Sequence, residues 1–337
     1  MKNTANKSDI KTPVKNKALA TPDANAVGER VANQIIDKAT DTHVLLNEID
    51  RIEVESTEYK TLVVTSRPQV ALTGEQDGFT TAPVLNNGQR YVGVSGLFGK
   101  IYAQALLTDE IVNDAKIDLE SEVVRLTSDD FRNVLVTELL YGDESRSNGI
   151  QRLRGILHAR IDKPNGFSEA LKADSERHQD FYQVVKTGLS GSFGADSAAI
   201  RSYFVSLKKS LPTEYKRMAK WYMNADVFEA LEQVVDSNGQ SLLIHWGRSP
   251  YSREESFMML GHPIVIIDQM NGEGDNETPV IFGDFRSAIK VLDLKGEGSY
   301  FTVDQVTVKG ANIVYVDSRY GEIMQANDAL RVALQAG

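Results

Sequence analysis

The side chains that could carry chemistry in this sequence are few and dispersed. His43, His158, His178, His245 and His262 are the five histidines, no two stand at metal-ligand spacing, and His-Glu-x-x-His is absent. Each reads as a surface or satisfied core histidine. Cysteine is absent, which removes disulfides, thiolate nucleophiles and the common structural zinc sites together. Gly188, Gly191 and Gly194 are spaced three apart in GLSGSFG. A phosphate cradle would need a following Lys-Ser or Lys-Thr between a clear strand and a helix, and the sequence shows neither. The run is expected to be a flexible loop. No Gly-x-Ser-x-Gly elbow occurs. Asp109-Glu110, Asp129-Asp130 and Glu254-Glu255 are adjacent pairs. Neighbours in sequence do not face one site, so these pairs describe solvated faces. The residues predict no enzyme, no cofactor and no metal.

Composition narrows the partners. The 337 residues carry a formal net charge of -10, and 41% are hydrophobic, enough for a real core. The length allows two or more structural units. No run approaches the roughly 18 apolar residues of a membrane helix, so no membrane contact is expected. The start lacks the apolar core of a signal peptide, which predicts a protein made and kept in the cytosol or assembled there. An acidic chain is a poor sequence-independent nucleic-acid binder as a whole. Its start is the exception: Lys2, Lys7, Lys11, Lys15 and Lys17 are set against one acid, Asp9, in residues 1–22. This reads as a basic arm able to touch phosphates, or as a solvated tail with no partner.

The element around which the rest must be organised is Leu119 to Tyr141. Val124, Phe131, Leu135 and Leu139 recur at helical spacing. No Pro or Gly interrupts the run, and Gly142 stops it. At about 1.5 Å per residue it spans roughly 35 Å and acts as a strut. Thr108-Asp109-Glu110 resembles the cap of a short preceding helix. A helical pattern also runs from Ala26 to Ile52.

Strands are expected at Thr61–Thr65, Tyr91–Val94 and Lys100–Ala103. Between the first two lies a long connection with Pro68, Gly74, Gly78, Pro83 and Asn86-Asn87-Gly88. It exceeds any ordinary hairpin loop and holds few core residues, the first hint of an assembly role. Asp196 opens a helix that Pro212 ends. Lys220–Asn224 reads as a strand, Ala225–Val235 as a helix, and Asp236 to Gly239 as a turn. Ser241–Ile244, Pro263–Ile267, Val280–Phe282, Ala288–Leu292, Tyr300–Val308 and Ile313–Asp317 read as strands, with an apolar strip at Glu322–Leu334. Helices and strands mix without a βαβ rhythm, an α+β pattern.

The order of these landmarks resembles the major capsid proteins of tailed bacteriophages, whose fold is shared with encapsulin shells. The matching pieces begin with Ala103-Gln-Ala-Leu-Leu-Thr-Asp-Glu-Ile-Val-Asn-Asp114, Leu140-Tyr-Gly142 and Gly155-Ile-Leu157. They continue with Trp221-Tyr-Met-Asn224, Val235-Asp-Ser-Asn-Gly239, Leu260-Gly-His-Pro-Ile-Val265 and Phe282-Gly-Asp-Phe285. Many relatives place a Pro shortly before the Gly-Ile-Leu step, where this chain has Leu153 and Arg154.

The resemblance implies an N-terminal arm (1–54), an extended hairpin loop across a neighbouring subunit (55–105) and a peripheral domain (106–154 with 279–318). The axial domain would comprise 155–278 with 319–337. It implies a homo-oligomer of hexamers and pentamers in a virion capsid assembled in the host cytoplasm. Packaged DNA would be held non-specifically. A portal, a separate scaffolding protein and a decoration protein would be the partners. An encapsulin-like compartment is the alternative. Arg67, Arg90, Asp284 and Arg286 are the candidate intersubunit contacts. Residues 61–99 hold no lysine, so the isopeptide lock of some relatives is not expected.

Overall fold

The computed structural model describes residues 43–66, 90–108, 119–145, 152–161, 181–235, 239–245, 257–294, 299–304 and 311–336. The lysine arm, Arg67, the loop 67–89, the short-helix cap at 109–110, His178 and most of the 236–239 turn lie outside them.

Two sheets and one long helix organise these residues. The first sheet is built on β13 (Ala311–Met324). β4 (Leu97–Thr108) pairs antiparallel along one edge of it. Along the other edge, β12 (Ser299–Asp304) takes the first half and β11 (Ile289–Leu294) the second. β1 (Asp50–Val54) adds to β11 in parallel. A separate hairpin pairs β2 (Lys60–Ser66) with β3 (Arg90–Ser95), from Lys60 opposite Ser95 upward. The two strands expected to flank the long connection are therefore its stem.

The second sheet has seven strands in the order β5-β14-β10-β6-β9-β8-β7. They span Gln183–Ser190 (β5), Leu330–Ala336 (β14), Val280–Gly283 (β10), Lys220–Met223 (β6), His262–Ile266 (β9), Phe257–Met259 (β8) and Leu243–His245 (β7). Alternation sorts its two faces. Trp221, Met223, Val280, Phe282 and Ala333 pack on one face beneath helices α3 (Ser197–Ser210) and α5 (Ala225–Glu232). Tyr222, Ile281, Val332 and Leu334 pack on the other, in the core shared with the strut helix α2 (Leu119–Tyr141). Phe282 lies opposite Trp221 in register, with ring centroids 4.1 Å apart and stacked. The Trp221 indole N–H donates to the Met259 carbonyl at 2.9 Å.

Local sequence explains the helices. Phe131, Leu135, Val136, Leu139 and Leu140 of α2 are buried, a wider stripe than the spacing alone suggested. Asp196 caps α3 by accepting from the Ala199 amide at 2.7 Å, and Leu211-Pro212 ends it. Asn224 caps α5 through Asp226. α4 (Thr213–Lys216) is a single turn between α3 and β6, and α6 (Phe285–Ala288) follows β10.

Two readings are corrected. The helical pattern across Ala26–Ile52 survives, within the described residues, only as α1 (Val44–Glu48); Ile52 belongs to β1. Thr108 ends β4, and the helix expected to start after it lies outside the described residues. The strip Glu322–Leu334 is the end of β13 and the start of β14, in different sheets. Sheet membership also crosses the expected domain limits. β10 lies inside the seven-stranded sheet, β1 of the expected arm pairs with β11, and β13 runs past residue 318 to Met324.

Candidate functional site

Among the described residues, the junction after the strut helix is tightly constrained. A helix ends with carbonyls that lack intrahelical donors. Here the returning chain supplies them. Ile156 N–H donates to Leu139 at 2.9 Å, Leu157 N–H to Leu140 at 2.7 Å and Gly155 N–H to Gly142 at 2.8 Å. Leu153, Ile156 and Leu157 are buried by the same return. Arg152 then reaches back along the helix, with Nε 2.9 Å and Nη2 2.7 Å from Glu138 Oε1.

Three residues past Leu157, Arg160 crosses to the first sheet. Its Nη2 donates to both carboxylate oxygens of Glu322 on β13, at 2.5 and 2.6 Å, and both side chains are buried. Burial pushes the Glu322 carboxyl up, while the Arg160 guanidinium pulls it down. Beside the pair, the buried Tyr182 hydroxyl donates to the Ala288 carbonyl at 3.2 Å. The segment leaving the strut is thus tied to β13 and to the start of β11.

Asp284 and Arg286 sit at the second crossing between the sheets, where β10 leaves one and β11 enters the other. Asp284 caps α6, accepting from the Arg286 amide at 3.1 Å and the Ser287 hydroxyl at 2.6 Å. Arg286 Nε lies 2.8 Å from Asp50 Oδ1 on β1 and keeps 67% of its side chain exposed. Arg90 opens β3.

Between the strut and β4 lies a groove of about 210 Å³ lined by Gly99, Lys100, Ile101, Tyr102, Val134 and Glu138 with neighbours. Tyr102 and Val134 are exposed apolar groups on it.

Residues 24–333 match the family model described as the phage capsid family. The chain belongs to the phage capsid family. No curated protein matches it. Solved structures share the fold at low identity. The capsid of a native GTA particle aligns with TM-score 0.65 and 18% identity, over 89% of this chain and 91% of that one. A protein of Microbacterium phage Oxtober96 aligns with TM-score 0.57 and 13% identity, over 87% and 90%. The holo-SrpI encapsulin complex of Synechococcus elongatus aligns with TM-score 0.52 and 15% identity, over 86% of each chain. The α+β phage capsid fold expected from the sequence is the fold observed.

For this capsid-family chain the motifs acquire physical roles. Leu140-Tyr-Gly142 and Gly155-Ile-Leu157 are the two halves of the helix closure. Trp221 and Phe282 of two others stack in one core.

His43 and His262 are held in structural hydrogen bonds, and His158 is exposed. His43 Nδ1 accepts from the Leu45 amide at 3.1 Å, and its Nε2 lies 3.2 Å from Gln269 Oε1. His262 Nδ1 donates to the Ala219 carbonyl at 3.1 Å. No described group of His, Asp and Glu could hold a metal ion. The glycine run corrects one detail: it does lie between a strand, β5, and a helix, α3. The Asp196 carboxylate already occupies that helix N-terminus, where a phosphate would meet like charge. Sequence reasoning missed Arg160, Glu322 and the buried Arg331, whose guanidinium donates to the carbonyls of Ser210, Asp328 and Leu330. Arg and Glu are almost always exposed, so type and spacing gave no signal.

Proposed function

We propose that this chain is the major shell subunit of a tailed-phage or prophage head, assembling as hexamers and pentamers around double-stranded DNA. The observation that carries this reading is the phage capsid family match across residues 24–333. The β2–β3 stem supports it. A two-stranded hairpin that pairs with neither larger sheet and connects through residues 67–89 is marginal on its own and suits a neighbour's surface. In this reading residues 1–54 are the arm, 55–105 the extended loop, 106–154 with 279–318 the peripheral domain, and 155–278 with 319–337 the axial domain.

Arg67 and Arg90 on the hairpin, with Asp284 and Arg286, are the intersubunit contacts of this reading. Arg286 has the surface to offer, whereas Asp284 is largely used inside its own chain. Lys2, Lys7, Lys11, Lys15 and Lys17 meet DNA or a separate scaffolding protein by charge alone. A portal and a decoration protein complete the head. Acidic walls suit a container through which DNA must slide.

Negative-stain electron microscopy of the purified protein, alone and co-expressed with its genomic neighbours, tests this. Closed shells, or ring-shaped hexamers and pentamers, with nuclease-protected DNA are expected. Shells holding a protein cargo and no nucleic acid would select the encapsulin-like alternative. Uniform small particles under every condition would sink the shell reading.

A further inference from the structure

The seven-stranded sheet carries its charge in two separated blocks. β6 pairs in parallel with β9, and β10 is antiparallel to both β6 and β14. The N-terminal ends of β6, β9 and β14 therefore lie at one end of the sheet, and their C-terminal ends at the other. From Ser197 to Lys220 the sequence holds six cations, Arg201, Lys208, Lys209, Lys216, Arg217 and Lys220, against one acid, Glu214.

The structure gathers most of them at the N-terminal end. Lys208 Nζ donates to the Leu260 carbonyl in the β8–β9 turn at 2.6 Å, and Lys216 Nζ to the Lys209 carbonyl at 3.4 Å. His262, first residue of β9, lies close enough to both ammoniums that they add to burial in holding its pKa down. Lys220 is paired with Glu48. Lys209 and Arg217 are exposed, with Lys208 and Lys216 half-buried beside them.

The other end is acidic. No Lys or Arg occurs between Lys220 and Arg248, or between Arg253 and Arg286. The β9–β10 connection carries Asp268, Glu273, Asp275 and Glu277. It is held to the sheet at several points. Asn224 Nδ2 donates to the Met270 carbonyl at 2.5 Å, the Gly274 amide to Gln335 Oε1 at 2.8 Å, and the Gln335 amide to the Glu277 carbonyl at 2.9 Å.

At the first end Lys208, Lys209, Lys216 and Arg217 outnumber Glu214, Asp284 and Asp328, and at the other Asp268, Glu273, Asp275 and Glu277 outnumber Lys186 of β5, so the two ends, repeated in every copy, form a head-to-tail complement. Such a contact is heterologous: each copy uses two different surfaces. Like ends repel and unlike ends attract, which fixes the direction of approach. We propose that the Lys208–Arg217 end of this sheet in one copy docks on the Asp268–Glu277 connection of the next copy. The proposal rests on the shell reading and adds to it the polarity and the residues of one subunit contact. A second copy is favoured over a polyanion because the complementary acids are carried on the same chain, at the opposite end of the same sheet.

Charge reversal in the full chain tests it, read by sedimentation velocity at low and high salt. K209E with R217E, and separately D268K with E273K, are each expected to reduce assembly by about tenfold at low salt. Mixing the two reversed proteins restores unlike ends and is expected to restore assembly. The chain reversed at both ends is expected to assemble alone. Wild-type oligomers with undiminished assembly of both single-end variants would overturn the contact and leave the shell reading standing. So would failure of the mixture and of the doubly reversed chain when circular dichroism shows them folded. A cationic-end variant that assembles normally but loses binding to double-stranded DNA would assign that end to phosphate and overturn the proposal. Wild type that never associates would remove the shell reading and this contact together.

Discussion

The amide of Gly155 lies 2.8 Å from the carbonyl of Gly142, closing the strut helix by backbone alone. A Cβ built on Gly155 would sit 2.3 Å from the Gly142 nitrogen, and one on Gly142 would sit 2.2 Å from the Leu153 carbonyl oxygen. Neither neighbour is a flexible side-chain tip, so the backbone itself would have to move. Gly142→Ala and Gly155→Ala are each expected to lose about 1–3 kcal/mol or more in urea unfolding. A Ser or Ala accepted at either position without loss would contradict the close approach.

The Arg160–Glu322 pair links residues 162 positions apart with both side chains buried. Removing one partner leaves the other charge buried and uncompensated, at a cost of about 3–5 kcal/mol. Replacing both by apolar groups of similar volume removes the desolvation cost along with the attraction. Arg160→Met and Glu322→Leu are therefore each expected to be strongly destabilising, and the double variant much less than their sum. Chemical denaturation of the four proteins measures the coupling directly. Additive losses would show that the two groups do not act as a pair.

How legible this fold was depends on the range of the interactions. The strut was readable to its ends, Leu119 and Tyr141, because an unbroken stripe and a following glycine are local signals. The helix at Asp196 and the strand at Lys220 were readable for the same reason. The Leu45, Leu46, Ile49, Ile52 spacing misled, because parallel pairing of β1 with β11 overrides a helical period. Glu322–Leu334 hid a change of sheet, since strands buried on both faces do not alternate. The Arg160–Glu322 and Arg331 contacts carry no sequence signature at all. The family's motifs were legible as an order of landmarks, but only the structure shows that Leu140-Tyr-Gly142 and Gly155-Ile-Leu157 meet.

His43 gives the chain an acid-sensitive anchor. Its Nδ1 accepts the Leu45 amide, which requires that nitrogen to be unprotonated, so Nε2 carries the proton donated to Gln269. Burial, then the charge of Arg132, hold its pKa below the ordinary 6.5 against the opposing pull of Gln269 and Asp268. The unfolded chain therefore takes up this proton first as pH falls. The contribution to stability is complete above the ordinary value and is lost as pH drops through the folded value. Thermal melts from about pH 7 to about pH 5 should fall more steeply for the wild type than for His43→Asn, whose amide can cap without titrating. Coincident slopes would show that the anchor does not sense pH.

The hairpin decides how a shell of this chain would be held together. An isopeptide lock needs a lysine amine carried on the extended loop to a neighbour. Residues 61–99 supply none, and the flanking Lys60 and Lys100 lie at the foot of the hairpin, in β2 opposite Ser95 and in β4 opposite Arg319. Strand pairing fixes both backbones, so neither amine stands on the connection 67–89. In the proposed shell, contacts between subunits would then be hydrogen bonds, buried apolar surface and charge, all reversible. Purified particles boiled in detergent are expected to release a single band at the mass of one chain, whatever their age. A ladder of dimers, pentamers and hexamers that survives boiling would show a covalent bond formed from some other lysine, and would shift attention to Lys60 and Lys100 as its source. Loss of the ladder in Lys60→Arg or Lys100→Arg would then identify which.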